Sequence, residues 1–150
     1  MRKIFVISLA TVLLSALLAA PASADTRGGA GLYYKTIINN APSSHTAAKT
    51  GQTTATKTKI TYCKNAKGKV MWYIKVTGTF VYGNGPVKCT NTSVVTKSQS
   101  PFWTISHKTV SKKKNAATAR ATGKRRVNGV VVESVTRTVT LRCDRYGHFS

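Results

Sequence analysis

Few side chains in this sequence are equipped for bond-breaking chemistry. Three carboxylates (Asp25, Glu133, Asp144), three histidines (His45, His107, His148) and three cysteines (Cys63, Cys89, Cys143) stand against 24 lysines and arginines. The catalytic combination these types allow is that of a secreted ribonuclease, with Glu133 as base, His107 as acid and Arg137 on the phosphate. Glu133 and Arg137 share one face of an alternating stretch, either side of Val135, which is equally the spacing of an ordinary ion pair. Three such residues occur by chance in any basic protein of this size. Metal sites need clustered donors at defined spacing, and neither the histidines nor the cysteines are clustered. No local motif couples a cysteine to a histidine as a nucleophile pair. The residue types point to a protein that is not an enzyme, with no metal and no cofactor.

The basic residues carry more information. The formal net charge is +21, and only Arg2 and Lys3 would leave with a cleaved leader. So few carboxylates cannot neutralise so many cations, and such a surface attracts anionic polymers: nucleic acid, acidic polysaccharide or wall teichoic acid. The densest clusters are Lys112-Lys113-Lys114 and Lys124-Arg125-Arg126. They bracket one strand, and Arg120, Lys124 and Arg126 on its outer parity form a stripe able to track a phosphate backbone. Contact with an anionic membrane surface follows from the same charge. Tyr73 and a wide array of threonines also fall on outer parities, where surface tyrosines and β-formers are ordinary.

These residues must be positioned by strands. Val130–Cys143 places Val131, Val135, Val139, Leu141 and Cys143 on one parity and mostly Thr, Ser and Arg on the other. The same alternation marks Lys57–Cys63, Val70–Tyr82, Val87–Thr96, Phe102–Val110 and Ala117–Arg126, with a further short strand at Leu32–Ile38. Trp72 and Trp103 fall on inward parities. Gly78, on the apolar face of the second long strand, predicts a bulge or a close backbone approach. Turns are marked by Asn65–Lys69, Gly83–Pro86 and Asn128-Gly129. No helical period is present. The expected fold is all-β, a small antiparallel β-sandwich, immunoglobulin-like, of six to seven strands, with a small barrel as the competing closure.

The chain opens with Arg2-Lys3, an apolar run from Ile4 to Ala20 and the small residues Ala22-Ser23-Ala24, the layout of a cleaved secretory signal peptide. The expected organisation is a signal peptide over 1–24, a flexible arm over 25–56 and the β domain over 57–150. The protein is then secreted, extracellular or associated with the cell wall. Export permits a disulfide. Cys89 and Cys143 lie on inward parities, and alternating strand directions bring them to the same edge of the domain. Cys63 lies opposite Ile60 and Tyr62, so it is expected to face outward, free or bridging two chains. The expected disulfide is Cys89–Cys143.

The stretches Pro101–Lys108, Asn115–Ala119, Val135–Gly147 and Thr79–Gly83 resemble small exported β-rich proteins of Gram-positive bacteria, a group with no assigned activity. The resemblance implies a secreted β domain and brings no site residues. Residues and resemblance together give a secreted, non-enzymatic, strongly basic protein of the cell envelope that binds anionic polymers by charge. The alternatives are an antimicrobial or toxin acting on anionic membranes, and then the ribonuclease. The absence of a long amphipathic helix counts against the membrane-active alternative.

Overall fold

The computed structural model describes residues 31–39, 46–47 and 51–150. The leader over 1–24 and residues 25–30, 40–45 and 48–50 of the arm over 25–56 lie outside the described residues. The fold is all-β, with eight strands: β1 (Tyr33–Asn39), β2 (Thr46–Ala47), β3 (Gln52–Lys64), β4 (Val70–Gly83), β5 (Lys88–Ser98), β6 (Trp103–Lys113), β7 (Ala116–Val127) and β8 (Val130–Arg142). They form two antiparallel sheets, β1-β3-β4-β5 with β2 beside β3, and β6-β7-β8. Within each sheet the long strands follow one another as a meander, and the β5–β6 connection crosses between sheets. An immunoglobulin-like domain distributes its strands between the sheets by Greek-key connections. β3 begins at Gln52, upstream of the expected Lys57, and β1 pairs with it along its full length.

The core follows from complementary sizes. β4 turns Trp72, Ile74, Val76 and Phe80 inward, all fully buried. Facing them, β7 offers Ala117, Ala119, Ala121 and Gly123. Large side chains from one sheet fill the space that small ones leave on the other, which lets the sheets approach closely. Gly123 is part of this fit, because a Cβ there would lie 2.5 Å from the Trp72 indole. Gly78 is a close approach of the same kind, its Cβ position 2.5 Å from the Phe80 ring and 2.9 Å from Ala117. Trp103 completes the centre against Trp72, ring centroids 6.4 Å apart.

The turns obey their sequence chemistry. Asn128 and Gly129 both take positive φ, 49° and 80°, as a tight hairpin between right-twisted strands requires. Asn65 Oδ1 accepts hydrogen bonds from the backbone N–H of Lys67 and Lys69 and shapes the β3–β4 turn. The threonines of neighbouring strands pair hydroxyl to hydroxyl, at Thr56–Thr79, Thr58–Thr77, Thr118–Thr140 and Thr122–Thr136, with O···O distances of 2.8–3.1 Å. Each such cross-strand pair contributes about 0.2–1 kcal/mol. The last residues are no loose tail. Arg142 and Ser150 exchange backbone hydrogen bonds, and the Phe149 ring packs edge-on against Phe80 and Tyr82.

Two expectations about cysteines are corrected. All three are buried thiols, and the Cys89–Cys143 disulfide is not formed. Strand direction does bring the two to one end, but the β6–β7 turn lies between them: Cys89 N–H donates to Lys114 O and Cys143 N–H to Asn115 O. Each thiol instead donates to a nearby carbonyl, Cys89 to Asn91 O and Cys143 to Asp144 O. Cys63 faces inward at 1% exposure, which also removes it from any bridge between chains. The apolar residues of its strand misled the parity: Ile60 packs on the outer face, opposite Ile37 of β1.

Candidate anion-binding cleft

The inverted parity of β3 builds the site. Its inward positions are Ala55, Lys57, Lys59, Thr61 and Cys63, with three polar residues between a buried alanine and a buried cysteine. The sheets close on each other along β5 and β6, where Cys89 N–H bonds Lys114 O at 2.6 Å. At the opposite side the backbones of β1 and β8 stay apart. Between them runs a cleft of about 750 Å³. β1 and β3 line it with Tyr33, Tyr34, Lys35, Thr36, Lys59, Thr61 and Lys64, and β8 with Thr138, Val139 and Thr140. The Thr36 and Thr61 hydroxyls share a hydrogen bond of 2.8 Å on its wall. The Arg137 guanidinium lies over the Tyr34 ring at 3.5 Å and bridges the two sheets.

Among the described residues three lysines and no carboxylate line the cleft; Lys59 holds an inward position, while Lys35 and Lys64 also border the outer-face hollow beside Ile37, Tyr62 and Val70. Lys59 is the most constrained of them. Burial first, then the charge of Arg142, lowers its pKa, so its cation is disfavoured in the free protein. An anion beside it would offset the repulsion of Arg142 and favour the charged lysine.

Beneath the cleft is a buried polar cluster. Burial pushes the Cys63 thiol up to about 11, with Tyr34, Glu133, Arg137 and Trp72 around it. Burial, then Cys63, also raises the pKa of Tyr34. Tyr34 Oη, Trp72 Nε1, Glu133 Oε1 and Arg137 Nε make no hydrogen bond among the described residues. A thiol held protonated to that degree is a poor nucleophile near neutral pH.

The expected basic clusters lie elsewhere. Lys112, Lys113 and Lys114 are exposed around the β6–β7 turn, and Lys114 takes φ 49°. Lys112 Nζ donates to Thr90 O. Lys124, Arg125 and Arg126 lie at the far end of β7, whose 12 residues span about 40 Å at strand rise. Arg120, Lys124 and Arg126 share its outer parity, with Arg120 and Arg126 exposed. Arg125 is not a free cation, because its Nε meets Glu133 Oε2 at 3.2 Å. That pair replaces the Glu133–Arg137 pairing the spacing allowed. Asp144 is engaged too, with its carboxylate held below the usual range first by the His148 backbone N–H.

The three residues of the ribonuclease reading are not assembled. Glu133 is turned between the sheets, its side chain 14% exposed. His107 sits exposed in the β6 bulge at φ 50°, its Nδ1 3.1 Å from Ser106 Oγ. Sequence reasoning missed the cleft lysines. The signal available was Lys57, Lys59 and Thr61 alternating with Ile60 and Tyr62, read as a wet outer face. No protein family, curated protein or solved structure matches this chain.

Proposed function

We propose that this is a secreted, non-enzymatic protein that binds anionic polymers, such as teichoic acid, acidic polysaccharide or nucleic acid, mainly by charge. The cleft between β1 and β8 is the principal seat, occupied by phosphate or carboxylate groups lying against Lys35, Lys59 and Lys64. The observation that carries the reading is three lysines and, among the described residues, no carboxylate in the lining of one cleft, with the charge of Lys59 disfavoured there. The exposed cations Lys112, Lys113, Lys114, Arg120, Lys124 and Arg126 extend the contact over the surface, while Arg125 holds Glu133. Among the described residues no lysine is ion-paired, which leaves those charges available to a polymer.

Titration of the mature protein with teichoic acid and with single-stranded RNA at rising salt tests the reading. Affinity should fall steeply and linearly on a double-logarithmic plot. Binding that is the same at low and high salt would exclude it.

A further inference from the structure

The end of the molecule carrying the β7–β8 turn is apolar where a hairpin tip is ordinarily polar. Val127, Val130, Val131 and Val132 surround Asn128-Gly129, with exposures of 40, 64, 41 and 50%. Phe102, 60% exposed, joins them: its carbonyl accepts from Arg126 N–H, and Arg126 pairs with Val131 on its other side. Phe102, Arg126 and Val131 thus form one row across β6, β7 and β8. Val132 is the bulge residue, since the register steps from Glu133 to Val131 across Arg125 and Arg126. A bulge here re-aims side chains that a regular strand would alternate.

Cations surround these apolar side chains. Lys124 and Arg126 flank the tip within β7. The β3–β4 turn, with Lys67 and Lys69, lies at the same end, because Trp72 near the start of β4 packs on Trp103 at the start of β6. Among the described residues the carboxylate at this end is Glu133, which is bound inside by Arg125. We propose that this tip seats the protein shallowly in an anionic lipid surface, with the valines and Phe102 entering the acyl boundary and the lysines and Arg126 meeting the headgroups. Interfacial binding strength comes from buried apolar area together with attraction to anionic lipid, and the tip offers both. A soluble polyanion rewards the cations but gives nothing for exposed valines, so the tip is a separate device from the cleft.

The test is co-sedimentation with vesicles of phosphatidylglycerol and phosphatidylcholine, against vesicles of phosphatidylcholine alone. The native protein should sediment with the anionic vesicles only. V130S/V131S/V132S should weaken that binding about thirtyfold, from the lost transfer of three half-exposed valines. Its unfolding midpoint and its RNA affinity should match the native protein, which keeps this result distinct from any failure of the cleft. A second variant, F102W, should show an indole blue shift on anionic vesicles alone. Equal binding of the native protein and the triple serine variant to anionic vesicles would overturn the proposal. So would self-association, without lipid, that the same serines abolish, since the tip would then be a contact between copies of the chain.

Discussion

Removing the three cleft lysines tests the central claim charge by charge. A cation bound to a polymer phosphate releases condensed counterions, so each contact adds about 0.7 to the slope of log affinity against log salt on a flexible single strand. Lys35, Lys59 and Lys64 together then account for a slope of about two, or about a twentyfold fall in affinity between about 50 mM and about 200 mM salt. The perturbation is K35Q/K59Q/K64Q, read by fluorescence titration against a labelled single-stranded RNA at several salt concentrations. The control is K88Q/K97Q/K108Q, which removes the same charge from exposed positions outside the cleft lining. The cleft variant should lose about two units of slope and the control much less. Equal slopes in the two variants would refute the cleft as the seat, and leave only diffuse attraction to a basic surface.

Lys59 supplies a second readout of opposite sign. Its folded pKa lies below the ordinary 10.5, through burial first and Arg142 second. Between the two values the unfolded chain holds the proton that the folded chain has released, so stability rises with pH through that window. At neutral pH the charged lysine therefore works against folding. K59M should raise the urea midpoint while weakening RNA binding. A lysine that served packing alone would lower the midpoint on removal, and that result would count against the reading.

Three further outcomes follow from the packing and the thiols. G123A places a Cβ 2.5 Å from the Trp72 indole and should cost about 1–3 kcal/mol, visible as a lower urea midpoint and a changed tryptophan emission. Cys63 and Cys143 have ordinary values near 9.0 and folded values of about 11, so their contribution is complete below pH 9 and is lost as pH rises through 11. That decline is about 2–3 kcal/mol apiece and should flatten in C63A/C143A, whatever that variant's stability at neutral pH. F149A removes the ring that packs on Phe80 and Tyr82 and should destabilise by about 2–3 kcal/mol, with amide exchange rising first in the segment after Arg142.

Strand existence was written plainly in the sequence, because Val, Ile and Trp alternate with Thr and Lys wherever one face is dry. β4 carries that alternation throughout and β8 carries it from Val135 to Leu141, but the bulge at Val132 leaves Val131, expected inward, 41% exposed. Asn128-Gly129 and Asn65–Lys69 fixed the turns for the reason that their backbone geometry admits few other residues. Three things were not legible. The facing of β3 was inverted, because Ile60 is covered on the outer face by neighbours that no local pattern announces. The cysteine pairing failed because an edge of the domain is wide enough to hold a turn between two residues that reach it. The docking of Phe149 depends on a contact with β4, far away in the chain.

The inverted strand is also the strongest internal argument for function. A sheet packed only for stability would put valine or isoleucine at the inward positions of β3, each worth about 1.5–3 kcal/mol when fully buried. This strand instead presents Lys57, Lys59 and Thr61 there, while its isoleucine and Tyr62 sit on the other side. The Lys57 ammonium lies over the Phe149 ring at 5.8 Å; Lys59 has no hydrogen-bond or ion-pair partner among the described residues and meets the repulsion of Arg142. Apolar residues at the same positions would close β1 onto β8 and remove the cleft. The chain forgoes that closure at one edge while meeting it in full at the other, where β5 and β6 come together. Departure from the packing rule at a single strip, with cations left in it, is what the proposed binding function would cost a small β domain.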